Sequence, residues 1–142
     1  MTLDEIKALQ VPANPKGSAL YLWTTAPKAE EAMQVMNAWG FKYRSQAIWD
    51  KRRIGMGYWF RIQHEILMVG VKGKFSPPPP GQRCSSMFEI VRGKHSEKPE
   101  LFREKLDLWY PNAKKLEMFA RKQSPGWDVF GNEVSDSINI AA

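Results

Sequence analysis

The chain has 142 residues, 43% of them hydrophobic and 25% charged, the balance of one ordinary globular domain rather than a disordered segment or several domains. No apolar run approaches the roughly 18 residues that a membrane span needs, and the start Met1-Thr2-Leu3-Asp4-Glu5 is too polar and acidic for a secretory signal. The single cysteine, Cys84, excludes an intramolecular disulfide and a Cys-rich zinc site, while a net charge of +6 admits a polyanionic partner and six tryptophans offer either core packing or flat faces for stacking on bases.

Thr2-Leu3-Asp4-Glu5 is a capping-box pattern, in which Thr2 and Glu5 answer each other's backbone donors, so a short helix is predicted to about Leu9. Pro12 and Pro15 then enforce a loop. Residues 18–25, apolar and aromatic, read as a buried strand. Pro27 suits the first turn of a helix whose inner face is Ala29, Ala32, Met33, Met36 and Trp39, and Gly40 ends it. Residues 41–49 read as a second strand. Strand, helix and strand with short connections make the unit that builds a parallel sheet.

Lys51-Arg52-Arg53-Ile54-Gly55-Met56-Gly57 is a basic, glycine-bearing loop, followed by Tyr58-Trp59-Phe60 and a strong apolar strand at 64–71. Pro77 to Pro80 favour an extended polyproline stretch within the domain. A modest strand over 87–91 precedes a helix from Pro99 to about Trp109, with Phe102, Leu106 and Trp109 on its buried side. Strands at 115–120 and 126–133 close the domain, taken as residues 1–134; residues 135–142 are expected to fray.

The matching stretches run in order from Met1-Thr2-Leu3-Asp4-Glu5-Ile6 through Leu20-Tyr21-Leu22-Trp23, Ala38-Trp39-Gly40-Phe41-Lys42-Tyr43 and Gly57-Tyr58-Trp59. They continue through His64-Glu65, Val69-Gly70-Val71-Lys72-Gly73, His95-Ser96-Glu97-Lys98-Pro99, Lys115-Leu116-Glu117-Met118-Phe119-Ala120-Arg121 and Gly126-Trp127-Asp128-Val129-Phe130-Gly131-Asn132-Glu133. In this succession the chain resembles the methyltransferase-A, seventy-kilodalton-subunit-like family. That family holds the catalytic subunit of the messenger-RNA adenosine methyltransferase together with many phage and bacterial adenine methyltransferases. The closing stretch is more similar to the phage and bacterial branch. The resemblance implies an α/β, Rossmann-like methyltransferase sheet flanked by helices, S-adenosylmethionine as cofactor, and adenine N6 as the methylated atom.

The family's Asp-Pro-Pro-Trp motif, which holds the adenine amino group, lies upstream of the Thr-Leu-Asp-Glu segment and is not among these residues; the Pro-Pro pairs at 77–80 follow Ser76 and do not replace it. The expected sheet therefore lacks its N-terminal catalytic strand, and either a rearrangement or another chain is expected to fill the gap, because open backbone groups in a core are costly. The family assigns no catalytic residue here apart from Glu65, near its active-site loop; without the resemblance a solitary glutamate at a strand start is usually solvated.

For the cofactor, the resemblance implies Asn132 and Glu133 on the ribose hydroxyls, Arg121 near the ribose, Lys98 toward the carboxylate end and Gln123 nearby. Read alone, Gly131-Asn132 is a turn and Lys98 a solvated lysine. Lys51, Arg52, Arg53 and Arg61 are candidates for phosphates, with Tyr58 and Trp59 lining the same groove; the plainer readings are a solvated face and core packing. His64, His95 and Cys84 show no metal spacing, and no metal is expected.

The leading expectation is an adenine-N6 methyltransferase acting on DNA in preference to RNA, in the cytoplasm of a bacterial host, with no membrane association and as a homodimer or with a complementing subunit. The alternatives are a non-catalytic, pseudoenzyme partner of an active enzyme and an inactive truncated remnant.

Overall fold

In the computed structural model, which describes residues 1–91, 98–131 and 134–141, the elements fall close to the periodicities of the sequence. Helix α1 (Leu3–Ala8) is capped by Thr2, whose Oγ1 accepts from Glu5 N at 3.2 Å. Strand β1 (Gly17–Thr24) leads through a 3-10 turn at Ala26–Lys28 into α2 (Ala29–Ala38). Gly40 follows with φ +84°, the left-handed geometry that lets the chain leave the helix. Strands β2 (Lys42–Asp50) and β3 (His64–Gly73) come next, then β4 (Met87–Glu89), α3 (Glu100–Trp109), β5 (Lys115–Met118) and β6 (Trp127–Phe130).

Among the described residues six strands form two ladders, a four-stranded sheet in the order β1-β3-β2-β4 and a separate parallel pair, β5 with β6. The larger sheet is mixed. Both β1 and β2 run antiparallel to β3, and β4 runs parallel to β2. Strands β1 and β2 therefore point the same way, as the intervening helix demands, but they are not neighbours. The expectation of a parallel sheet is corrected here: β3, the most apolar strand, takes the central place between them and runs against both. Its residues Glu65, Ile66, Leu67 and Met68 are all buried, whereas β1, on the sheet edge, is mostly half-buried rather than fully enclosed.

Alternation along the strands gives the sheet two unlike faces. One carries Leu20, Leu22, Ile48, Ile66 and Met68 and packs on α1 and α2 through Leu9, Ala32, Val35, Met36, Trp39 and Phe41. Gly70 allows α2 to lie close, since a Cβ there would sit 2.7 Å from Met36 Sδ. The other face is aromatic: Trp23 of β1, Trp49 of β2 and Phe88 of β4 meet Phe102 of α3, with ring centroids 4.9 Å apart for Trp23–Phe102 and 4.6 Å for Phe88–Phe102.

Helix α3 joins the two ladders. Its aromatic side touches the larger sheet, while its polar side grips the smaller one. Arg103 bridges Glu100 and Glu117, Trp127 Nε1 donates to Asp107 at 3.0 Å, and Lys115 pairs with Asp107 at 3.3 Å. No helix among the described residues is long and apolar enough to cross a membrane.

The described residues of the C-terminal segment are hydrogen-bonded back to the domain. Val129 N donates to Ser137 Oγ at 2.8 Å, Ser137 N to Val129 O at 3.0 Å, Gly131 N to Asp136 Oδ1 at 2.9 Å, and Gln10 N to Ala141 O at 2.7 Å. Ile140 packs against the α1–α2 core. The polar composition of the tail conceals this, because the contacts form only once the chain folds back on β6 and on the loop after α1. Val129 is wholly buried, so Ser137→Ala leaves its N–H without a partner, and urea unfolding is expected to show a loss of about 2 kcal/mol.

Candidate functional site

Strands β1, β2 and β4 all run in one direction, and their carboxyl ends lie together with the amino end of β3. The side chains that carry chemistry collect there. Trp23 and Trp49 are each the penultimate residue of their strands, and Glu65 is the second residue of β3, directly opposite Trp49 in the ladder. Ligands of α/β folds bind at such carboxyl ends, where loops leave the sheet.

Glu65 is the centre of the site. It is only 3% exposed, yet it is charged and held on both sides: Lys51 Nζ lies 2.7 Å from Oε2 and Lys98 Nζ 2.5 Å from Oε1. Burial alone pushes its carboxyl upward; the hydrogen bonds and charges of Lys51 and Lys98 outweigh that, and the net displacement is downward. The indoles complete the enclosure. Lys98 Nζ stands 5.6 Å from the Trp23 ring centroid and 5.9 Å from that of Trp49, and Lys51 Nζ stands 5.5 Å from Trp49. Trp49, fully buried, donates its Nε1 proton to Ile90 O at 2.8 Å.

The trio carries two positive charges against one negative. Lys51 is largely covered, with 18% of its side chain exposed, whereas Lys98 keeps 38% and stands just ahead of the α3 N-terminus. The net positive charge of the trio is therefore most accessible at Lys98, where the helix end adds to it.

Several candidates from the sequence are brought together and others are not. Glu65, Lys98 and Lys51 converge, although Lys51 was grouped with the phosphate-binding cations; its ammonium is directed onto Glu65. Arg52 has an exposed pair with Glu89 at 2.7 Å, and Arg53 is exposed. Arg61 Nη1 donates to Gly57 O at 3.0 Å. Tyr58 and Trp59 are not packed in the core but stand fully in solvent. Arg121 and Gln123 are exposed on the loop between β5 and β6, which Lys122 ties to Glu100 in the first turn of α3 at 2.7 Å. Asn132, Glu133 and His95 lie outside the described residues. Among the described residues no group of three or more His, Cys, Asp or Glu is placed to hold a metal ion.

Trp23 and Trp49 were not singled out as site residues by sequence reasoning. The available signal was positional: each falls one residue before the end of its strand, on the face opposite the aliphatic core.

The family model described as MT-A70 matches residues 1–133. The chain belongs to the MT-A70 family. It is 33% identical over 139 residues, 96% of its length, to the type II methyltransferase M.MunI of a Mycoplasma species. It is 29% identical over 150 aligned positions, 99% of its length, to the human N(6)-adenosine-methyltransferase catalytic subunit METTL3, and 29% identical over 146 to an N(6)-adenosine-methyltransferase MT-A70-like protein of Arabidopsis thaliana. The MT-A70 chain spans 60% of the Mycoplasma relative and 26% of the human one.

The buried trio gives this MT-A70 chain an acid-sensitive element. The folded carboxyl of Glu65 titrates below its ordinary value of about 4.3, so its contribution to stability is complete above that value and is lost as pH falls through the lower, folded one. Glu65→Gln is expected to cost about 2 kcal/mol at pH 7. Unfolding measured from pH 7 to pH 3 should show the gap between wild type and variant closing on the acid side; a constant gap contradicts the assignment.

Proposed function

We propose that this chain is the methyl-donor-binding and nucleic-acid-guiding part of an S-adenosylmethionine-dependent adenine-N6 methyltransferase acting on DNA. The observation that carries the reading is the Lys51–Glu65–Lys98 trio at the carboxyl ends of three co-directional strands, in a chain of a methyltransferase family.

The donor set fits such a cofactor. S-adenosylmethionine ends in a carboxylate, and the trio as a whole is net positive, with Lys98 its partly exposed member beside a helix N-terminus. The indoles of Trp23 and Trp49 border the same point with apolar surface. Glu65 does not face a substrate directly in this reading. It positions both lysines and keeps the cation of Lys98 from turning into water. Asn132 and Glu133, which follow β6, are assigned to the ribose hydroxyls, and Arg121 and Gln123 to its surroundings, on the family resemblance. When bound, S-adenosylmethionine supplies an electrophilic methyl group.

The adenine amino group is a weak nucleophile because its lone pair is shared with the ring. It must also leave the base stack to be reached. The reading places the groups that hold it on a strand outside this sequence, lying between β1 and β5 of one Rossmann-like sheet. Support comes from β1 standing at the edge of the larger ladder and from Met118 of β5 packing on the same core as Leu20 and Leu22 of β1. DNA is preferred to RNA on the family resemblance alone, the closing stretch being more similar to the phage and bacterial branch.

Calorimetric titration tests the cofactor assignment. The chain is expected to bind S-adenosylmethionine, and Lys98→Met and Asn132→Ala are each expected to weaken binding about tenfold, near 1.4 kcal/mol. Absence of binding by the wild-type chain, or variants that bind as well as wild type, overturns the reading.

A further inference from the structure

The segment between β2 and β3 is a hairpin extension rather than a loose loop. Lys51 N donates to Gln63 O at 2.9 Å, Gly55 N to Ile62 O at 2.8 Å, and Ile62 N to Met56 O at 3.4 Å, so backbone bonds cross the segment beyond the strand ends. Asp50 anchors its base, accepting from Arg52 N at 2.8 Å and from Gln63 Nε2 at 3.0 Å. The bond from Arg61 to the Gly57 carbonyl closes the tip. What this stalk raises into solvent is unusual: Trp59 is 95% exposed and Phe60 79%, Tyr58 is fully exposed, and Met56 and Ile54 beside them are largely so.

Aromatic side chains contribute by burial, so consecutive ones left in water on a hydrogen-bonded tip mark a surface that something else covers. Its charge says what. Residues 51–63 contain Lys51, Arg52, Arg53 and Arg61 and no Asp or Glu. A protein surface of ordinary, mixed charge has no reason to select that pattern, whereas a nucleic acid meets both halves of it, phosphates for the cations and base faces for the rings. The hairpin is also continuous with the candidate site, because its first residue, Lys51, pairs with Glu65.

We infer that the 51–63 hairpin is a base-stacking element: Trp59 and Phe60 stack on nucleobases that are unpaired or displaced beside the site, and Arg53 and Arg61 take the adjoining phosphates. This rests on the nucleic-acid part of the function proposed above and names the element that receives the opened strand. Stacking on the tip supplies part of the free energy that unpairing a base costs.

The test is fluorescence anisotropy with labelled adenine-containing oligonucleotides, as a single strand, a full duplex, and a duplex with one unpaired adenine, without cofactor. Wild type is expected to bind the single strand and the unpaired-adenine duplex more tightly than the full duplex. Trp59→Ala should weaken the first two about tenfold while leaving the salt dependence unchanged, and Trp59→Tyr should restore most of the loss. Arg53→Gln with Arg61→Gln should instead lower the slope of log affinity against log salt by about 1–2. Because Trp59 touches solvent, the thermal midpoint of Trp59→Ala should match wild type; if it does not, Phe60→Ala provides the same comparison. Equal binding by wild type and both ring variants, or no oligonucleotide binding at all, overturns the inference. So does a self-association, seen by sedimentation, that Trp59→Ala abolishes with oligonucleotide affinity intact, since the tip is then a protein contact. Failure of the cofactor titration would remove the methyltransferase reading and leave this result standing, because no cofactor enters the measurement.

Discussion

Glu65 is a charge removed from water, and such a charge must be answered nearby or it unfolds its surroundings. Here it is answered from two directions. Lys51 arrives from the strand beside it and Lys98 from the entry to α3, more than thirty residues along the chain. The same contact therefore fixes where β2 ends, where α3 begins, and which face of β3 is aromatic. It also enforces register. A slip of one residue between β2 and β3 would turn Glu65 toward the apolar Met36 and Val35. The indoles of Trp23 and Trp49 exclude water around the trio, which strengthens the pairing and makes it depend on intact packing.

Helix α3 transmits that constraint to the smaller ladder. It offers rings to one sheet and ionic groups to the other, and the two kinds of contact differ in what they tolerate. Phe102 sits between Trp23 and Phe88 in edge-on packing that fixes the helix position closely. Arg103, Glu100, Glu117 and Lys122 are partly solvated pairs, individually weak and able to adjust. The loop carrying Arg121 and Gln123 is thus held near the start of α3, and hence near Lys98, by charge rather than by apolar burial.

The aromatic residues divide by this logic into two populations. Trp23, Trp49, Phe88 and Phe102 are enclosed and hold the sheet to the helix, while Tyr58, Trp59 and Phe60 are raised clear of the fold on a hydrogen-bonded stalk. Residue type does not separate them. Trp49 and Trp59 lie ten positions apart, and one is wholly buried while the other is almost wholly exposed.

Local order was legible in the sequence because its causes are local. The Thr2 cap, the α2 stripe of Ala32 and Met36, the Gly40 stop and the apolar run of β3 each follow from a few neighbouring residues, and each stands where periodicity put it. The family, too, was determined by the order of short motifs, since those are strings of residues and need no coordinates. Tertiary structure alone decided the rest. That β3 separates β1 from β2 depends on which strand most needs both neighbours. That Ser137 holds Val129, and that Lys98 reaches Glu65, depends on how the chain folds back on itself. Burial made Glu65, which read alone is a solvated glutamate, the pivot of the site and left Trp59 outside it. Burial belongs to no single residue; it is a property of everything packed around it.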